Sequence, residues 1–126
     1  MINYLLVIAG SAIGGGLRSW ISDAVYKYLP VTLPYGTVAV NIIGSFILGI
    51  IIFIFDEKEL LNNQVKIFLT IGFCGGFTTF STFSLETFNL IRDSEYLFAA
   101  LNIISSLLVC IAGVFLAYII SKLIWG

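Results

Sequence analysis

The densest group of residues capable of chemistry lies within one long apolar stretch. There Gly75 and Gly76 precede a run of hydroxyl and phenylalanine side chains that extends to Ser84. Each glycine costs about 1 kcal/mol in a helix interior relative to alanine, and a threonine-rich run is also a poor helix former. The pattern therefore predicts a helix broken near mid-span. Released carbonyls can hold a cation and the N-terminus of a half-helix attracts an anion, whereas a glycine kink without function is the alternative.

Two other apolar stretches carry polar side chains at every fourth residue, which places each set on one helical face. The sets are Thr37, Asn41 and Ser45, then Asn102, Ser106 and Cys110, with Ser105 beside the second set. Such residues line a transport path, or they hydrogen-bond neighbouring helices at about 0.6 kcal/mol each. We expect Asn41 and Ser106 to line a path, and both roles stay open for Ser45 and Ser105.

Two ionisable residues flank these polar groups. Arg18 lies near the end of the first apolar stretch, and Glu86 lies in the second half of the third. Near a helix end such side chains commonly extend to the membrane surface. A charged side chain deep in the bilayer costs roughly 2.5 to 3.5 kcal/mol of insertion free energy. If Arg18 or Glu86 lies there, the cost demands a functional reason.

The elements that must position these residues are four apolar stretches. They cover residues 2–20, 35–55, 65–91 and 96–124. A helix needs about 20 apolar residues to cross a bilayer, so the sequence predicts an all-α membrane protein with four transmembrane helices. The spans fill nearly the whole chain and leave no room for a soluble domain, so residues 1–126 form one transmembrane domain.

Composition excludes several function classes. The chain is 60% apolar and 10% charged, with a net charge of −1 and no histidine. Nucleic-acid binding needs a basic face, which is absent. An enzyme is disfavoured because no nucleophile has a base in reach. Cys74 and Cys110 both lie at membrane depth, so they indicate small packing residues rather than a disulfide or zinc site.

The distribution of basic residues indicates how the chain inserts. One side of the membrane receives Lys58, Lys66 and Lys122, and the other receives Arg18, Lys27 and Arg92. This tie removes the bias that normally fixes orientation. It predicts that the chain inserts both ways and forms an antiparallel homodimer, although a chance tie in a small protein is the alternative. Three pairs of small residues four apart also favour partnering: Gly10 and Gly14, Ser45 and Gly49, and Gly113 and Ala117.

Three segments carry a resemblance to a known family. They read GGGLRSW from Gly14 to Trp20, GTVAVNIIGSFILG from Gly36 to Gly49, and GFCGGFTTFSTFSLE from Gly72 to Glu86. In these segments and in its four-span layout the chain resembles the CrcB or Fluc family of bacterial fluoride channels. The resemblance implies an antiparallel dual-topology homodimer with two pores in the bacterial inner membrane. It also implies passive, selective fluoride export that protects the cell, and a structural sodium ion at the dimer centre.

The resemblance further implies roles for individual residues. Phe80 and Phe83 match the phenylalanines whose ring edges face the ion, Asn41 matches the pore asparagine, and Arg18 matches the vestibule arginine. The carbonyls of Gly75 and Thr78 match those that hold sodium. Ser81 and Thr82 are motif hydroxyls, and Ser106 fits a hydroxyl track on the fourth span. Thr37, Thr79, Glu86 and Asn102 are further candidates, and the role of Cys110 is open.

The main alternative function is a proton-coupled small multidrug exporter. That class shares the four spans and the dual topology, but it uses a carboxylate deep in its first span. Residues 2–20 contain none, and Glu86 is the only acid expected at depth. Spacing alone would also assign Phe80 and Phe83 to ordinary packing.

Overall fold

The computed structural model describes residues 1–126 as helices joined by short connections. Four helical spans are long and apolar enough to cross a membrane, which confirms the four-span prediction. These spans are Ile2–Tyr26, Tyr35–Asp56, Asn63–Arg92 and Tyr96–Trp125. Their α-helices are α1 (Ile2–Tyr26), α2 (Tyr35–Ile50), α3 (Asn63–Ile67), α4 (Gly75–Phe77), α5 (Ser81–Arg92) and α6 (Tyr96–Trp125). Two π-helical turns, Ile51–Asp56 and Phe68–Cys74, continue α2 and join α3 to α4.

Two span ends differ from the predicted ones by more than one residue. Helix α1 continues past the predicted end at Trp20 because no glycine or proline follows until Pro30. Its last turn therefore includes Asp23, a carboxylate that the predicted first span lacked. Helix α3 starts earlier than residue 65, because the Asn62 side chain accepts a hydrogen bond from the Val65 N–H at 2.8 Å and caps the helix.

The course of the third span differs from the prediction in detail. Gly75 and Gly76 are helical, with Gly75 at φ −62° and ψ −38°. The non-helical residues lie beyond them, and Thr78 is extended at φ −87° and ψ 160°. The glycines serve close packing instead. A Cβ on Gly76 would lie 2.7 Å from the Ser11 Cα of α1, so only glycine permits this approach.

The small-residue pairs pack helices of the same chain, whereas the sequence suggested a role in partnering. A Cβ on Gly10 would lie 2.6 Å from the Phe68 carbonyl oxygen, which places α1 directly on the third span. On the other side of the molecule, a Cβ on Gly49 would lie 2.6 Å from the Ala117 Cβ. These contacts join α1 to the third span and α2 to α6.

The chain buries few residues by itself. Only 19 of its 126 residues are buried, so most of the apolar surface faces the bilayer or a partner. The largest fully buried side chains are Phe77 and Val40. Five polar side chains of the spans are nevertheless among the buried residues: Thr37, Thr87, Asn102, Ser106 and Ser121.

The two tryptophans lie at opposite ends of the bundle. The Trp125 Nε1 donates to the Ile54 carbonyl oxygen at 2.9 Å and ties the end of α6 to the π-helical turn after α2. The Lys58 Nζ lies 5.6 Å from the centre of the same ring. Trp20 is 68% exposed, and its side chain makes no hydrogen bond within the chain.

Candidate functional site

The interruption of the third span leaves backbone groups free for other partners. The Cys74 carbonyl oxygen accepts both the N–H and the hydroxyl of Thr78, at 3.0 and 2.9 Å. In a continuous helix the Thr79 N–H would then bond the Gly75 carbonyl, but here it turns to a side chain of α2. The carbonyl oxygens of Gly75 and Thr78 consequently accept no hydrogen bond within the chain.

The side chain of Asn41 holds this interruption in place. Its Nδ2 donates to the Thr79 carbonyl oxygen at 2.9 Å, and its Oδ1 accepts the Thr79 N–H at 2.7 Å. One amide therefore satisfies both backbone groups of a residue that lies outside any helix. An unpaired backbone group in the bilayer costs several kcal/mol, so this double hydrogen bond is strongly favoured.

A cluster of hydroxyls marks the start of α5. The Thr79 Oγ1 accepts the Thr82 N–H at 3.2 Å and donates to the Thr82 Oγ1 at 3.1 Å. The Ser81 hydroxyl lies 3.4 Å from the same Thr79 oxygen. The first N–H groups of a helix and its dipole favour negative charge. This end of α5 thus combines donors with a positive potential.

A cavity of about 250 Å³ lies between α2, the interruption and α6. We call it the phenylalanine cavity; its lining includes Asn41, Ser45, Thr78, Thr79, Phe80, Phe83, Ser106, Leu107, Cys110 and Ile111. The rings of Phe80 and Phe83 lie 5.4 Å apart with their planes at 55°. The edge of an aromatic ring, where the C–H bonds point outward, carries partial positive charge. This tilted pair can therefore present C–H edges to an anion.

Hydrogen bonds behind the phenylalanine cavity orient Ser106. The Ser106 hydroxyl donates to the Asn102 Oδ1 at 3.4 Å, and the Asn102 Nδ2 donates to the Thr87 hydroxyl at 2.9 Å. Thr87 in turn donates to the Phe83 carbonyl oxygen at 2.8 Å. All three side chains are buried. The polar face of α6 is therefore coupled to the helix that carries Phe83.

A second, smaller cavity of about 150 Å³ lies at the other side of the interruption. We call it the arginine cavity; its lining is Arg18, Ser19, Ser22, Asp23, Thr37, Val40, Thr79 and Thr82. The Nε of Arg18 is buried and has no hydrogen-bond partner. Thr79 lines both cavities, so the residue held by Asn41 lies between them.

Glu86 lies beside the arginine cavity and is neutralised by no basic residue. The Thr37 hydroxyl donates to its Oε1 at 2.6 Å, and no cation approaches within 4.0 Å. Thr37 lines the cavity and Glu86 does not, so this hydrogen bond places the carboxylate directly behind the cavity wall.

The structure brings most of the predicted site residues together around the interruption. Ser81, Glu86, Asn102 and Gly75 are the ones that line neither cavity. Sequence reasoning missed Ser19, Ser22 and Asp23 of the arginine cavity, and Thr87 behind Ser106. The spacing of Arg18, Ser19, Ser22 and Asp23 on one helical face was the available signal.

Comparison with known proteins agrees with this arrangement. Residues 5–118 match the family described as CrcB-like protein, Camphor Resistance (CrcB). This chain belongs to the CrcB family. A CrcB-family protein of Magnetococcus marinus is 41% identical over 118 residues, which are 94% of this chain and 96% of the relative. One of Coxiella burnetii is 43% identical over 122 residues, which are 96% of this chain and 98% of the relative.

The relatives carry a functional name. Both are named fluoride-specific ion channel FluC, as is a Geotalea uraniireducens protein that is 42% identical over 122 residues, 97% of this chain and 98% of that protein. Together with the four spans, this similarity makes the CrcB-family chain a multi-pass membrane protein.

Proposed function

We propose that this chain is the subunit of a fluoride-selective channel, a transport protein rather than an enzyme, in the bacterial inner membrane. Fluoride passes down its gradient, and export protects the cell when acidic surroundings have loaded it with the ion. The observation that carries the proposal is that Thr79 forms part of the wall of both cavities. One cavity supplies a cationic side chain whose Nε is buried, and the other supplies ring edges and a hydroxyl.

The chemistry of fluoride suits a path from the arginine cavity to the phenylalanine cavity. The ion is small and strongly hydrated, so a path must replace its water with donors without binding it too tightly. In the arginine cavity, Arg18 and the surrounding hydroxyls provide those donors. Beyond Thr79, the edges of Phe80 and Phe83 offer weak positive potential, and Ser106 offers a hydroxyl. The Asn41 amide keeps a second N–H, beyond the one that Thr79 uses.

A second copy of the chain is part of the proposal. Phe80 is 68% exposed in the single chain, and the adjoining backbone has unpaired carbonyls. Irregular backbone at membrane depth is tolerated only where protein or a water-filled cavity covers it. A homodimer that covers the phenylalanine cavity satisfies this condition. The tie between basic residues on the two sides favours antiparallel partners.

The proposed orientation has a direct test. A cysteine at exposed Asn62, labelled in intact vesicles with an impermeant maleimide, should react about half from each side. Adding two lysines to the connection 57–62 should then fix one orientation and abolish activity, because antiparallel partners are no longer made. Labelling from one side only would contradict dual topology.

The residues at the interruption also fit a sodium ion. Hard cations take oxygen ligands, and unwound backbone carbonyls are a known source of them in transport proteins. The carbonyl oxygens of Gly75 and Thr78 accept no hydrogen bond, and Gly75 is exposed on the single chain. We propose that two copies would hold sodium with these four oxygens. The ion would supply fixed positive charge, and replacing sodium with a large organic cation should lower the thermal stability of the dimer.

Ion-specific efflux from proteoliposomes tests the function. The proposal predicts rapid fluoride efflux and no measurable chloride efflux under the same gradient. Efflux of a cationic drug driven by a proton gradient, without fluoride flux, would instead favour the small multidrug exporter. Asp23 does not favour that alternative, because it is exposed and lies in the last turn of α1 rather than deep in the span.

A further inference from the structure

The arginine cavity contains two charged residues of opposite sign, Arg18 and Asp23. They lie five residues apart on α1, on the face that also carries Ser19 and Ser22. They do not form an ion pair, because the salt bridges of the chain are Lys66 with Asp56 and Arg92 with Asp93. The remaining lining residues are Ser19, Ser22, Thr37, Val40, Thr79 and Thr82, none of which carries a charge. The lining thus carries one positive and one negative side chain, and Glu86 adds a second carboxylate behind the lining residue Thr37.

Asp23 has no structural reason to be acidic. It lies in the last turn of α1, where the helix dipole disfavours negative charge. Its carboxylate makes no hydrogen bond and no salt bridge within the chain. The carboxylate is exposed and is held by no partner in the chain. Its position on the cavity wall is the feature that remains.

The charge of Asp23 acts on any anion that enters this cavity. Clefts lined by one sign of charge raise the local concentration of the opposite ion, and a charge of the other sign lowers it. A carboxylate about 8 to 10 Å from the ion changes that concentration by roughly two- to five-fold at an effective dielectric constant between about 40 and 80. The effect shrinks with salt because the Debye length falls below that distance.

We propose that Asp23 is an electrostatic brake on anion access: it offsets the attraction of Arg18 and sets the rate at which fluoride reaches Thr79. This inference rests on the proposed fluoride channel. It gives Asp23 a role unlike that of the other polar residues of the arginine cavity, since its carboxylate repels the ion rather than binding it.

The test compares three variants in fluoride efflux from proteoliposomes. Asp23→Asn removes the charge, and we expect efflux to rise about two- to five-fold at ~0.02 M ionic strength. At ~0.5 M the variant and the unmodified chain should differ by less than about 1.5-fold. Asp23→Glu keeps the charge and should remain near the unmodified rate. Glu95→Gln is the matched control, because Glu95 is an exposed acid at the same end of the bundle and lines neither cavity.

Each outcome is decisive. An unchanged rate in Asp23→Asn, an equal increase in Glu95→Gln, or an increase that salt does not reduce would overturn the inference. If Asp23→Asn yields too little folded protein, Asp23→Ser replaces it, since its hydroxyl resembles those of Ser19 and Ser22. Failure of the proposed function is a separate result, because the unmodified chain would then conduct no fluoride at either ionic strength.

Discussion

The two halves of the third span differ in how they meet the rest of the chain. Before the interruption, glycines bring the backbone against α1, and Phe77 is 1% exposed. Three residues later Phe80 is 68% exposed and lines a cavity. The first half is fixed by backbone packing, whereas the second presents polar groups and rings to open space. Packing against α1 thus depends on the first half of the span, and the cavity lining depends on the second half. A substitution can therefore alter the packing without altering the lining, or the reverse.

The largest effect should come from the packed half. Gly14→Ala places a Cβ 2.8 Å from the Phe77 N and closer still to the Phe73 carbonyl oxygen, and backbone atoms cannot yield to it. We expect the free energy of unfolding to fall by about 3 kcal/mol, at the upper end for overpacking, measured by thermal unfolding in detergent. Gly15→Ala is the control, because a Cβ there meets nothing within 4 Å. Equal stability of the two variants would show that the close helix contact is not limiting.

The next effect should appear in the open half, in flux rather than in stability. Phe80→Ile and Phe83→Ile keep apolar bulk but remove the ring edge, so fluoride efflux per folded dimer should drop by about 100-fold or more. Elution in size-exclusion chromatography should not change. Phe83→Met should retain part of the flux because its thioether is polarizable.

Phe88→Ile serves as the control for the phenylalanine variants. Phe88 lies on α5 and is 56% exposed, but it lines neither cavity. Its flux should stay near that of the unmodified chain. Full activity in both cavity variants would show that Phe80 and Phe83 are structural, and the ion path would then follow Asn41 and Ser106.

A third change acts at the border between the halves. Asn41→Leu leaves the N–H and carbonyl of Thr79 without partners, at about 1 to 3 kcal/mol for each unsatisfied group. We expect lower thermal stability together with a flux loss of roughly 10-fold or more, because Thr79 lies between the two cavities. Asn62→Ala removes another asparagine-to-backbone bond, outside both cavities. It should cost about 1 kcal/mol and leave flux per folded dimer unchanged. Equal flux losses in the two variants would refute a local role for Asn41.

The smallest effect should come from the buried bonds behind Ser106. Thr87→Val removes the acceptor of the Asn102 amide and should cost about 1 kcal/mol, with a change in flux of only a few-fold. Thr70→Val is the comparison, because Thr70 bonds only the Lys66 carbonyl of its own helix. Thr70→Val should change both the free energy of unfolding and the flux by less than Thr87→Val does. A larger effect of Thr70→Val would show that the hydrogen bonds on which stability and flux depend lie in the packed half of the third span.

Much of this architecture could be predicted from local sequence. Apolar stretches of sufficient length specify the four spans because the bilayer imposes that length. The regular spacing of Thr37, Asn41 and Ser45, and of Asn102 and Ser106, places these residues correctly on helical faces, and four of these five line a cavity. Asn102 instead lies behind Ser106.

The exact place of the helix interruption could not be predicted in this way. Propensity disfavoured a helix both at Gly75 and Gly76 and in the threonine-rich run after them, but contact with α1 holds the two glycines helical. The Asn41 side chain selects Thr79 instead, and these two residues lie 38 positions apart in the chain. The absence of a helix breaker before Pro30 allowed α1 to extend, but nothing local showed that Asp23 would then line a cavity together with α2 and the third span. Such outcomes depend on which helices become neighbours, which propensity does not encode.

The tryptophan at each end of the bundle gives the chain an intrinsic fluorescent probe at each end. Trp125 is fixed by its hydrogen bond to Ile54, so its fluorescence reports whether the ends of the second and fourth spans stay joined. Trp20 makes no such hydrogen bond, and its emission wavelength reports the polarity of the surrounding membrane interface. Replacing either one with phenylalanine isolates the other. Folding of the subunit and its insertion into lipid can then be followed as two separate spectral events, without an added dye.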